Sequence, residues 1–146
     1  MIRPMTAQDT AEVCAMMRVF YDSPAVLYKA PDSILLRDIQ DCVGECPFIE
    51  GYVFEEAGQI AGYAMAAKSY STEYGGICIW IEDIYIKPAF RGMGIGKAFF
   101  AHLEAQYRGK AVRFRLEAED ENLNAIQLYT KQGYRKLPYV QMTKEV

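Results

Sequence analysis

Three glycines at alternate positions, Gly92, Gly94 and Gly96, run into Lys97 and then into good helix formers as far as Tyr107. That spacing suits an anion. The first turn of a helix carries main-chain N–H groups without intrahelical acceptors, and its aligned peptide dipoles favour negative charge. Glycine lets a bulky anion reach those amides because no Cβ stands in the way. Lys97 adds a positive charge. Upstream, Glu82 and Asp83 interrupt the run GGICIWIEDIYIKP. Carboxylates amid Ile and Trp are unusual in a strand interior, and they are candidates for taking a proton or holding a cation. The strand period of two sends them to opposite faces. Downstream, Asn122 and Tyr129 are seven apart and share a helix face. They offer an amide and a phenol on one side. The lone histidine, His102, lies at the edge of an apolar stripe with Ala98, Phe99 and Leu103 and reads as a packed rim residue.

Two well-known phosphate loops do not fit. A Walker loop needs Ser or Thr after Gly-Lys, whereas Ala98 follows Gly96-Lys97, and Arg91 stands where its first glycine belongs. A dinucleotide fingerprint needs a third glycine where Lys97 stands.

The elements that must position these residues follow from periodicity and punctuation. IRPM reads as a short opening strand, and Thr6 with Asp9 forms a capping box with Asp in the acidic place. A helix then runs through Val13, Met16, Met17 and Phe20. The segment 22–31 carries two prolines and reads as irregular. Asp32 or Ser33 is expected to cap a second helix through Ile34, Leu35, Ile39 and Val43, ended by Gly44 and Pro47. FIEGYVFEE and QIAGYAMAAKSY flank Ala57-Gly58 as a hairpin. The run from Ile77 to Ile86 holds five Ile, a Trp and a Tyr, the most strand-like stretch in the chain. After the glycine turn and its helix, KAVRFRLEA is a strand and NLNAIQLYTKQ a helix that Gly133 ends. YRKLPYVQMTKEV reads as a C-terminal strand pair bent at Pro138. Hairpins imply antiparallel neighbours and strand–helix–strand units parallel ones. The expectation is an α/β (α+β) fold: a mixed sheet with helices on both faces.

Composition bounds the rest. The 146 residues, 51% of them hydrophobic, suit one domain, 1–146, with a sizeable core. Sixteen Lys and Arg against 19 Asp and Glu give a net charge of −3, a poor match for nucleic acid or an anionic membrane. The four cysteines form no Cys-x-x-Cys pair and are joined by one His, so no metal site is expected. Without a signal-peptide pattern or a membrane-length apolar run, the expected location is cytoplasmic.

Arg91-Gly92-Met93-Gly94-Ile95-Gly96 fits [QR]-x-x-G-x-[GA] after a strand, and it resembles the acetyl-CoA motif of the GNAT superfamily of N-acetyltransferases. A second element agrees. Asn122 to Tyr129, followed by Gly133-Tyr134, is similar to the family's N-x-x-A-x-x-[LF]-Y…G-[FY] signature, with Ala125 in its small position. The resemblance spans nearly the whole chain, and IEDIYIKPAFRGMGIG is most similar to the diamine branch, the spermidine/spermine-type and thialysine-type enzymes. It implies a mostly antiparallel sheet with a splayed parallel strand pair, acetyl-CoA as cosubstrate, and direct attack by an amine in a ternary complex. The amides of Gly92, Met93, Gly94, Ile95, Gly96 and Lys97, with Arg91, would hold the pyrophosphate. The main chain of Ile84, Tyr85 and Ile86 would carry the pantetheine arm like an added strand, with Asn122 bonding it. Glu82 would act as base or water-positioning group and Asp83 as base or anchor for a cationic amine, and Tyr129 would give the departing thiolate its proton. Tyr21, Tyr28 and Tyr70 are candidates for lining the acceptor pocket. Glu117, Glu119, Asp120 and Glu121 read as a solvated loop or a collar for a polyamine. A homodimer paired through C-terminal strands is the expected assembly. Polyamine-like amines are preferred as acceptors, with amino-acid-like amines, aminoglycosides and protein amines as the alternatives. A non-catalytic acetyl-CoA-binding module is the alternative from another class.

Overall fold

Alternation along the central strands builds a sheet that is apolar on both faces, so helices cover both. In a computed structural model describing residues 1–146, the strands are β1 (Ile2–Pro4), β2 (Ile49–Glu56), β3 (Gln59–Ser71), β4 (Gly76–Ile86) and β5 (Ala111–Leu116). The helices are α1 (Thr10–Tyr21), α2 (Asp32–Val43), α3 (Ile95–Gln106) and α4 (Leu123–Lys131). The strands lie side by side in chain order. All neighbours are antiparallel except β4 and β5, which are parallel. Adjacent residues feed opposite faces. Tyr52 and Phe54 of β2 and Ala64 of β3 pack with Phe99, Phe100 and Leu103 of α3. Val53, Tyr63 and Met65 pack with Val13, Met16 and Met17 of α1 and Leu35 and Ile39 of α2.

The capping box forms as read: the Thr6 amide donates to the Asp9 carboxylate at 2.8 Å. The second helix starts differently. Pro31 holds the N-cap position with extended backbone, and Asp32 is the first helical residue. Its carboxylate pairs with Arg18 of α1 at 2.9 Å. Pro31 provides the non-helical dihedrals that a polar cap would otherwise select.

The expected C-terminal strand pair does not form. No residue after Lys131 belongs to a helix or strand, and from Arg135 onward no main-chain group bonds another. A strand exists only through ladder bonds, and Pro138 removes a donor midway. Side chains hold this segment instead: Tyr139 donates to Glu73 at 2.9 Å, and Lys136 to Asp120 at 2.8 Å. The outer edge of β5 therefore has no neighbour.

Candidate active site

The isoleucines of β4 fall at 77, 79, 81, 84 and 86. The step of three between Ile81 and Ile84 is the trace of a β-bulge. Met65 of β3 pairs with Asp83 and Ala66 with Ile81, so Glu82 has no partner on β3. One extra residue reverses the phase of a strand. Before the bulge, Ile79 and Ile81 face α3; after it, Ile84 and Ile86 return to that same face. Asp83 and Tyr85 are thereby turned toward α1 and α2. The parallel pairing with β5 ends at the same place, its last rung joining Ile81 to Leu116. Beyond it β4 runs on through Ile86 while β5 gives way to a loop. The bulge thus marks where the two strands part and an edge of β4 opens.

Asp83 is buried, 4% exposed. The Tyr63 hydroxyl donates to its Oδ2 at 2.9 Å and the Tyr21 hydroxyl to its Oδ1 at 3.2 Å. No lysine, arginine or histidine pairs with it; the nearby charges are Asp38 and Glu82. Burial pushes its carboxyl up to about 6, against the downward pull of the two phenols. Glu82, the unpaired residue of the bulge, keeps access to solvent. Its carboxyl is also raised, first by desolvation and then by the charge of Glu117 at the end of β5.

At the glycine turn, Gly92 and Gly94 have φ of 77° and 81°, the left-handed region that disfavours other residues. The space beside them is open, since a Cβ at either position would meet nothing within 4 Å. Gly94 is the N-cap of α3, with no side chain capping it. None of the six amides from Gly92 to Lys97 donates to another main-chain group. Gly96 is different: a Cβ there would make ordinary contacts, 3.6 Å from Leu128 Cδ2 and 3.7 Å from Ile86 Cδ1. Its place is packing between β4 and α4, and only two of the three glycines bare the turn to solvent. The same contacts show that turn, β4 end and α4 converge. Arg91 folds back on β4, its Nε donating to the Ile86 carbonyl at 2.9 Å and its guanidinium lying 5.9 Å from the Tyr85 ring centre. Met93 and Lys97 are exposed.

On α4, Asn122 is the N-cap, its Oδ1 accepting from the Ala125 amide at 3.3 Å. That leaves its NH2 group for a ligand. Tyr129 packs edge-on against Phe100 and Tyr134, with ring centres 5.8 and 6.3 Å away. Its hydroxyl bonds no protein group, and burial raises its pKa, so the phenol stays protonated at neutral pH. A cavity of about 680 Å³ lies between β5, α4 and the C-terminal segment. Leu116, Glu117 and Tyr129 line it, which places it behind the splay and away from the glycine turn.

Of the three expected pocket tyrosines, only Tyr21 reaches the acidic pair. Tyr28 is exposed on the α1–α2 loop, and Tyr70 is exposed where β3 pairs with Ile77, at the far end from Asp83. His102 packs on the Tyr52 ring, 5.8 Å between centres, as a rim residue does. Tyr63 and Asp38 escape the sequence reading. Tyr63 alternates with Ala64 like any core aromatic, and only the bulge reveals which face it shares with Asp83.

A model of the acetyltransferase (GNAT) family matches residues 13–134. The thialysine N-epsilon-acetyltransferase of Sus scrofa is 35% identical over 106 residues, 66% of this chain and 62% of that protein. The chain thus spans less than two thirds of that relative. The spermine/spermidine N(1)-acetyltransferase of Bacillus subtilis is 27% identical over 114 residues, 74% of this chain and 71% of the relative. A possible acetyltransferase from Clostridium difficile 630 superposes with a TM-score of 0.85 at 18% identity, covering 100% of this chain and 97% of the other. That likeness is one of fold.

Proposed function

We propose a function from one premise: the chain belongs to the acetyltransferase (GNAT) family. It acts as an N-acetyltransferase that moves an acetyl group from acetyl-CoA to a primary amine of a small, polyamine-like molecule. The observation that carries this reading is the run of unpartnered amides from Gly92 to Lys97 at the start of α3. Six free donors and a helix dipole suit the diphosphate of coenzyme A, and the residues present fit that group. The open edge of β4 at Ile84, Tyr85 and Ile86 and the Asn122 amide support a place for the pantetheine arm. Ala125 keeps the first turn of α4 slim beside it.

The remaining groups supply proton management. An ordinary amine has a pKa near ~10 and is mostly protonated at neutral pH, so it must lose a proton before it attacks. Glu82, solvent-accessible with a raised carboxyl, takes that proton directly or through water. Asp83 holds the cationic substrate from the opposite side of the bulge. As the new C–N bond forms and the thioester C–S bond breaks, the Tyr129 hydroxyl gives its proton to the departing sulfur, and the proton shed by the acylated nitrogen restores the phenol through water.

The named activities of the relatives support small amines as acceptors. The unpaired outer edge of β5 and the exposed Val140 and Met142 support a homodimer, which sedimentation velocity tests. No helix is long and apolar enough to cross a membrane. Four free cysteines support a reducing, cytoplasmic location. The reaction is tested by mixing purified protein with acetyl-CoA and a panel of amines while following thiol release. Release that depends on particular amines is expected. Tight cofactor binding without release on any amine, polyamine or peptide would mark a binding module instead.

A further inference from the structure

Asp83 combines deep burial, a tyrosine on each carboxylate oxygen and the lack of a cation. A buried carboxylate without a counter-charge is costly and persists only where hydrogen bonds hold it. We infer that Tyr21 and Tyr63 are positioning residues, a two-point clamp that keeps the Asp83 carboxylate ionised and aimed to accept an ammonium group of the substrate. This rests on the acetyl-transfer reading and adds to it the device that makes the site select a cation. The clamp spans the fold. Tyr21 is the last residue of α1, Tyr63 lies in the middle of β3, and Asp83 follows the bulge of β4.

The groups facing Asp83 make the device sensitive to pH. From α1 comes Tyr21, from α2 Asp38 and Cys42, from β3 Tyr63, and from β4 itself Glu82. Burial raises both phenols and the Cys42 thiol, which stay protonated across the neutral range. Asp38 and Glu82 oppose a charge on Asp83; only the two hydroxyls favour it. Removing one hydroxyl therefore moves the Asp83 titration upward. Tyr63 has the shorter bond and no exposure, so its loss has the larger effect.

The test is a carboxyl carbon NMR titration of the isotope-labelled protein alone, with Asp83→Asn assigning the signal. Wild-type Asp83 is expected to titrate near 6. Tyr63→Phe raises the midpoint by about one pH unit or more, as the loss of a charge-assisted bond implies, and Tyr21→Phe raises it less. In turnover with the amine found in the thiol-release panel, KM for the amine at pH 6.5 rises about threefold for a one-unit shift in ionisation. That excess disappears at pH 9. A merely structural tyrosine would alter KM equally at both pH values. A wild-type midpoint above neutral, or folded Phe variants that titrate like wild type, overturns the clamp. If Tyr63→Phe fails to fold, Tyr21→Phe decides alone by the same criterion. The titration uses neither substrate, so silent amines beside a shifted midpoint would count against acetyl transfer and leave the clamp standing.

Discussion

Two partly or wholly buried carboxylates each accept hydrogen bonds from two tyrosines, and their ionisation moves in opposite directions. Glu50, on β2, accepts from the hydroxyls of Tyr52 and Tyr107, both at 2.6 Å, and from Gln106 at 3.1 Å. Lys68 pairs with it at 2.6 Å. Burial works against its charge, yet these partners hold its carboxyl below the ordinary value. Asp83 has two phenols but no lysine, and its carboxyl is pushed up to about 6. The difference is one cation. At Glu50 the protein supplies it, and the cluster ties α3 to β2 and β3. At Asp83 the protein supplies none, in keeping with the proposed role of holding a cationic amine. Burial acts to raise both carboxyls, and the charge of the partner is what separates the two sites.

That contrast can be broken by mutation. The largest effect is expected for Asp83→Asn, which leaves an incoming ammonium without its counter-charge. kcat/KM for the amine should fall roughly 10²–10³-fold, as for a truncated buried charge pair. The same change should stabilise the unliganded protein by about 1–2 kcal/mol at pH 8 in thermal or denaturant unfolding. Tyr129, a phenol with no carboxylate partner, should behave like neither pair. Tyr129→Phe keeps the ring packing and should lower kcat about a hundredfold, the scale of a lost general acid. Calorimetry should find acetyl-CoA binding nearly unchanged. Smaller again is Glu50→Gln, expected to cost about 1–2 kcal/mol of stability, because Lys68 is partly solvated. Its KM for the amine should stay within about twofold, the cluster lying on the α3 face of the sheet, opposite to Asp83.

The two sites also predict opposite pH trends. The folded pKa of Asp83 lies above its unfolded value. Its stabilising contribution is full below about 4 and is lost as pH rises through about 6. Glu50 is depressed, so its contribution is present above its unfolded value and lost as pH falls through the folded one. In stability-versus-pH curves, Asp83→Asn should flatten the decline between pH 4 and about 7, and Glu50→Gln the acid-side loss. Amine affinity should weaken below about pH 6 as Asp83 takes up a proton.

Most of the fold was legible because its cues are local. Period-two alternation marks β2 and β3, Gly133 follows α4, and Thr6 with Asp9 opens the first helical segment. The glycine turn was legible as chemistry because positive φ and bare amides are properties of the residues themselves. What stayed hidden depends on partners distant in the chain. Gly96 looks like Gly94 in sequence, yet it packs against Ile86 and Leu128. Tyr63 and Asp38 meet Asp83 only after α2, β3 and β4 have packed. The C-terminal segment has strand-like residues but no bonded neighbour here, and residue type cannot supply one. The Ile81-to-Ile84 spacing was in plain view, and read as a phase shift it would have located the bulge.

The amide cradle is tested most directly by following backbone amide resonances while coenzyme A is titrated into the protein. Gly92 to Lys97 should show the largest shifts in the chain, saturating together with the calorimetric binding curve. Binding that leaves those six amides in place, or no binding at all, would contradict the account.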